Sequence, residues 1–171
     1  TNFNVTAQFQ VALVTALGTD MDFGTVGVIQ PPTSGTATIV SDGTVTYGGV
    51  DFQGSGTGGT AGQVQITAGS TGTNINIFCE QTATLGDGST NTIQVTGIGY
   101  DFDTTSATAP AVSCAGLGSA ASAESSAGFP ANINFGGVLD ASTASATFSN
   151  QALYDSAAGS GDPVTVNVAY Q

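Results

Sequence analysis

The sequence predicts an all-β protein, an antiparallel β-sandwich with an N-terminal donor strand. Three observations carry that expectation. Short segments rich in Thr and Val recur along the chain, punctuated by 25 glycines, the pattern of many short strands joined by turns. Both ends of the chain alternate strictly between apolar and polar residues. Helical periodicity is absent: the nearest candidate, Cys114 to Ser126, is rich in Ala and Ser but is interrupted by Gly116 and Gly118 and has no apolar stripe, so it reads as a loop with room for one helical turn.

The first element is the most informative. Residues 3–13 place Phe3, Val5, Ala7, Phe9, Val11 and Leu13 at odd positions and polar or small residues between them. Period two puts these side chains on one face of a strand and leaves the other face wet. At about 3.3 Å per residue the segment would extend roughly 36 Å, well beyond a common strand. A strand this one-sided needs a groove, in its own domain or in the next molecule. The six apolar residues are the candidate subunit-interface residues, with residues 1–17 as the donor strand and 18–171 as one sandwich domain.

The remaining elements follow in order. Met21 to Val28 reads as a strand after the turn Gly18-Thr19-Asp20 and is ended by Pro31-Pro32. Thr36 to Val40 and Thr44 to Tyr47 form a hairpin around Ser41-Asp42-Gly43, where Asp-Gly supplies the positive φ of a tight turn. Gly54 to Gly62 holds five glycines and is a loop. Gln63 to Thr67 and Asn74 to Cys79 are the next strands, the second with Ile75, Ile77 and Cys79 on one face. Thr92 to Tyr100 follows the turn Gly86-Asp87-Gly88. Ala131 to Leu139 carries Ile133 and Phe135 on one face, Ala144 to Phe148 is a short strand, and Val164 to Tyr170 closes the chain in strict alternation.

Composition bounds the function. The 171 residues include 12 acidic side chains and no Lys, Arg or His. Charged residues make up 7% of the chain, against the usual roughly 25%. No side-chain salt bridge can form, and solubility rests on Ser, Thr, Asn, Gln and Gly. Nucleic acid is excluded as a partner because phosphate binding needs basic side chains. No apolar run approaches the ~20 residues needed to span a bilayer, so membrane insertion is not expected. A chain opening at Thr1 rather than Met reads as a mature form whose signal segment has been removed. In that secreted, extracellular setting Cys79 and Cys114, the two cysteines of the chain, are expected to form a disulfide.

Two segments carry a resemblance. Met21-Asp22-Phe23-Gly24-Thr25-Val26, followed by Pro31-Pro32 and the Gly35-Thr36-Ala37-Thr38-Ile39 strand, resembles the opening of secreted bacterial β-sandwich subunits. The close, Val164-Thr165-Val166-Asn167-Val168-Ala169-Tyr170, fits the same layout. Two groups share it: the archaic chaperone–usher pilins, including spore-coat-U-like domains, and an uncharacterised secreted bacterial domain family with the same Phe-Gly-x-Val opening and Val-x-Val-x-Tyr ending. The resemblance implies an immunoglobulin-like antiparallel β-sandwich lacking one strand, completed by the N-terminal strand of an identical subunit and polymerised into a cell-surface filament. It also implies a periplasmic chaperone and an outer-membrane usher as partners during assembly.

The chemistry of catalysis is thinly represented. Without His there is no common general base, without Lys no Schiff base, and without Arg no anion clamp. The spacing of Glu80, Glu124 and the aspartates suggests no carboxylate pair for glycoside hydrolysis. Enzyme activity is not expected. For metals, Asp101 and Asp103 are weak candidates: i and i+2 carboxylates on a strand share a face and suit Ca²⁺, while Asp20, Asp22 and Asp87 offer similar oxygens. Solvated turn carboxylates explain the same residues. Tyr47, Tyr100, Tyr154 and Tyr170 suggest a sugar platform, although strand aromatics usually serve packing. The expected function is a filament subunit without a cofactor; the alternative is a monomeric secreted module that binds carbohydrate, with Ca²⁺ support.

Overall fold

The computed structural model describes residues 10–29, 32–54, 58–148 and 152–171. These residues form an all-β, sandwich-like fold with antiparallel pairing throughout. Thirteen strands are present among them: β1 (Val14–Thr19), β2 (Gly27–Val28), β3 (Thr36–Ile39), β4 (Val45–Gly48), β5 (Phe52–Gln53), β6 (Gly62–Ala68), β7 (Asn74–Cys79), β8 (Ala83–Gly86), β9 (Thr92–Phe102), β10 (Val112–Ser113), β11 (Ser122–Ser125), β12 (Ala131–Asp140) and β13 (Val166–Tyr170).

The larger sheet is organised by its two long strands, β9 and β12, which lie side by side with Phe135 opposite Tyr100 and Leu139 opposite Val95. On its other flank β12 pairs with β6 through its first half and with β3 through its second. β6 in turn holds β1, and β3 holds β4. The other flank of β9 holds β8 and β10. The smaller sheet has β7 at its centre between β11 and β13. A third, two-stranded pairing joins β2 and β5.

The alternation of β7 places Ile75, Ile77 and Cys79 in the core, all at 0% exposure. They pack in one hydrophobic cluster with Ile66, Ile93, Val95, Ile98, Tyr100, Ile133 and Phe135 of the larger sheet. The Cys79–Cys114 disulfide joins the end of β7 to the residue after β10, so the expected pairing is present and ties one sheet to the other. Closing a loop with a sequence separation of 35 residues stabilises the fold by roughly 3–4 kcal/mol in the chain-entropy model.

Several elements differ from the expectation. The stretch Met21 to Val28 is not one strand. Gly24 takes φ 67°, which breaks the extended run, and Asp22 bridges to Thr60 while Gly27–Val28 pairs separately with β5. Ala144 to Phe148 is not a strand either. Asp140 caps a 3-10 turn over Ala141–Thr143, accepting from Ser142 N and Oγ, and the chain turns again at Ser145 toward Phe148. The Ala/Ser stretch before Ser126 contributes β11, an edge strand joined to β7 through main-chain pairing such as Ala123 with Asn76. The hairpin of β3 and β4 forms as read, with Gly43 at φ 87° in its turn.

Candidate functional site

The two sheets do not close along their whole length. A cleft of about 850 Å³ opens between them, within the roughly 300–1,000 Å³ of typical binding cavities. Its floor is the core face of the long strands, with Ile93, Val95 and Ile98 from β9 and Phe135 and Leu139 from β12. One wall runs from Leu17 and Thr19 of β1 through the 20–28 stretch, with Val64 of β6 behind it. A second part of the wall is formed by Ala83 and Leu85 of β8, by residues 152–157, and by Val164 and Val166 at the start of the last strand. Phe148 and Tyr154 stack within this wall, with ring centroids 4.5 Å apart and planes 13° from parallel.

Two features make the cleft a groove rather than a closed core. Leu17 and Leu153 line it and yet are 70% and 83% exposed. The strands that flank it are sheet edges: among the described residues β1 pairs only with β6, and β13 only with β7. Unpaired edges beside exposed apolar side chains are the features that invite another strand.

The leading segment is only partly described. Phe3, Val5, Ala7 and Phe9 lie outside the described residues. Val11 is 57% exposed. Leu13 is partly buried against the core of its own domain, where its side chain and the Phe129 ring both cover Gly69. Residues 14–17 belong to β1 and pair with β6 of the same chain. Two register irregularities in that pairing, at Val14/Thr15 and at Leu17/Thr19, interrupt the alternation that governs residues 3–13.

The metal candidates are engaged elsewhere. Asp101 is buried, and its oxygens accept from Ser41 Oγ and from Ala111 N at 2.9 Å. Asp103 lies just past the end of β9 with φ 54° and accepts from Asn132 N at 3.1 Å. The turn at Asp103 removes the shared strand face on which a chelate depended. Asp22 accepts from Gly24 N and Glu80 from Thr165 N. Among the described residues no group of three or more Asp, Glu, Cys or His side chains is gathered around a common point.

The tyrosines do not assemble into one platform. Tyr100 is wholly buried and tilts against Phe135 at 5.9 Å. Burial, then the nearby Glu124 carboxylate, raises its hydroxyl pKa well above the usual value. Tyr154 belongs to the groove wall, while Tyr170 bonds to Val11 and Ser70 at the far end of β13. Asp51, buried beneath the 33–34 turn, accepts from the backbone N–H groups of Thr33 and Ser34 at 2.7 Å each. Those two backbone bonds, Thr33 first, hold its carboxyl below the usual range. The side chain of Asn91, then the backbone of Ser89, does the same for Asp87.

Sequence reading missed much of the groove wall. β8 carries Ala83 and Leu85 at alternate positions, a signal too short to stand out. Residues 152–157 carry no periodic signal at all. They reach the groove because bridges from Asp155 to Gly86 and from Asp162 to Thr84 dock the loop on β8.

The arrangement defines a β-sandwich-like domain with an open, predominantly apolar cleft, whose lining also includes Asp20, Asp22 and Asp155. A family model matches residues 13–170, and the chain belongs to that family, a domain of unknown function (DUF4402). Residues 1–12 precede the matched region. Neither the curated proteins nor the solved structures contain a match to this chain.

Proposed function

We propose that the chain is a structural subunit of an extracellular filament, in which the leading segment of one copy fills the groove of the next. The observation that carries the reading is the open groove itself, with exposed Leu17 and Leu153 on its rim. A strand with large apolar residues on one face matches its chemistry. In this reading Phe3, Val5, Ala7 and Phe9 are the plug, Val11 lies at its root, bonded to Ser70 and Tyr170 of its own domain, and Leu13 packs against its own core. Each large side chain so buried contributes roughly 1.5–3 kcal/mol, and main-chain bonds to the edges of β1 and β13 add to this.

The family match begins at residue 13, so residues 1–12 lie outside the matched domain. The absence of basic side chains and the cross-sheet disulfide suit a secreted protein. The test is the Phe9→Asp/Val11→Asp double variant, followed by size-exclusion chromatography and negative-stain microscopy beside the unaltered chain. The unaltered chain should give large assemblies and the variant a folded monomer. A variant that still forms normal fibres removes residues 9 and 11 from the interface. An unaltered chain that is a discrete monomer points instead to a binding module.

A further inference from the structure

The root of the leading segment is held by a closed ring of hydrogen bonds. The Val11 N–H donates to Ser70 Oγ at 2.9 Å. The Ser70 N–H donates to the Tyr170 hydroxyl oxygen at 2.6 Å. The Tyr170 hydroxyl in turn donates to the Val11 carbonyl oxygen. Both main-chain polar groups of Val11 are thus satisfied by two residues distant in sequence, although Val11 itself is 57% exposed. An exposed residue in an extended lead could leave both groups to water. Here a Tyr at the end of the last strand and a Ser just after β6 converge on one peptide.

The position of the ring gives it a direction. It sits where β1 begins, since Val14 pairs with Ala68 two residues before Ser70. From there β1 runs toward the groove, where Leu17 and Thr19 form part of the wall. β13 runs the opposite way, with Val166 in the groove and Tyr170 at the ring. Val11 therefore lies at the end of the domain remote from the groove wall that Leu17 begins, and a segment preceding it joins the domain there. To enter its own groove that segment would have to reverse at about Val11 and run back beside β1. Gln8 to Leu13 contains no Gly, Pro, Asn or Asp, the residues that tight reversals use. The ring also occupies the N–H and C=O that a reversal at Val11 would redirect.

We propose that Ser70 and Tyr170 form a clamp on the Val11 peptide that turns the leading segment away from its own groove and toward a second copy of this chain. The inference rests on the strand-donation reading above and adds how an open-ended polymer is favoured over a self-filled monomer. The clamp residues are positioning residues; neither lines the groove.

The test uses the full chain carrying Phe9→Cys and Leu153→Cys, which report whether the plug lies in its own groove or in a neighbour's. With the clamp intact, oxidation should join chains into a ladder on a denaturing gel. Adding Ser70→Ala and Tyr170→Phe should shift the cross-link to within single chains and lower the ladder roughly tenfold, the factor that about 1.4 kcal/mol of lost hydrogen bonding supplies. Ser70→Thr, which keeps the hydroxyl, should retain the ladder. An undiminished ladder in the Ala/Phe variant overturns the clamp, as does a lost ladder without the intrachain product. If the combined variant does not fold by thermal melt, Tyr170→Phe alone, which keeps the ring packing, carries the same comparison. Failure of the clamp-intact chain to form either ladder or polymer overturns strand donation itself, and the two failures are thereby distinguished.

Discussion

Leu17 and Leu153 line the same groove, and both remain largely in water, at 70% and 83% exposure. A folded monomer gains little from either side chain where it stands. Their placement becomes favourable only if something apolar enters the groove.

That relationship predicts the behaviour of the rim. Leu17→Ser and Leu153→Ser should weaken assembly, because each removes apolar area that the plug would cover. Thermal stability of the monomer should change little, since substitutions at exposed sites are usually within about ±0.5 kcal/mol. Sedimentation of assemblies and a melt of the monomer measure the two effects separately. A large drop in melting temperature with normal assembly would show that the leucines serve the domain rather than the interface.

The disulfide should matter to the domain rather than to the groove. Cys79→Ala/Cys114→Ala is expected to lose about 3–4 kcal/mol of unfolding free energy, read from denaturant titration. Both sulfurs are buried in the core, at 0% and 2% exposure for their residues, so some of the loss will come from packing. Mild reductant should leave the native bond intact until the domain is loosened by denaturant.

Acid should destabilise the fold through Asp51. Its carboxyl is held below its ordinary value of 3.8, first by the Thr33 and then by the Ser34 backbone N–H. A folded-state pKa below the unfolded one means the unfolded chain takes up the proton first. The stabilisation is therefore complete above pH 3.8 and is lost as pH falls through the folded value. Asp87 acts in the same direction. Asp51→Asn should lower stability at neutral pH and flatten the acid limb of a melting-temperature profile.

Alkali should act through Tyr100. Its pKa is raised above 10.0, mainly by burial and then by the Glu124 charge. The unfolded tyrosine ionises first, so stability is present below pH 10.0 and declines as pH rises beyond it. Tyr100→Phe should remove part of that decline while retaining the ring contact with Phe135. Absorbance of tyrosinate during the titration reports the ionisation directly. An unchanged alkaline limb in the Phe variant would place its cause elsewhere.

Much of the fold was legible where side-chain alternation and burial coincide. Ile75, Ile77 and Cys79 were readable as one face because β7 sits between a dry core and a wet surface. The long strands β9 and β12 were readable for the same reason, within two residues at their ends. What escaped reading is held by main-chain bonds or by docking. β11 is a strand because β7 offers it a hydrogen-bonding edge, not because Ser122-Ala123-Glu124-Ser125 favours extension. Phe148 reads as the end of a strand, yet its ring belongs to the groove wall beside Tyr154.

The sequence by itself determined the class of the fold, its disulfide partners, the want of basic chemistry, and an apolar face on the leading segment. These are properties of composition and of period two, which need no knowledge of what lies across the core. Only the tertiary structure decided that the sheets stand apart at one end, that residues 152–157 form a wall there, and that Tyr170 meets Val11 across 159 positions. Such meetings depend on the path of the chain through space, and no local pattern of side chains encodes that path.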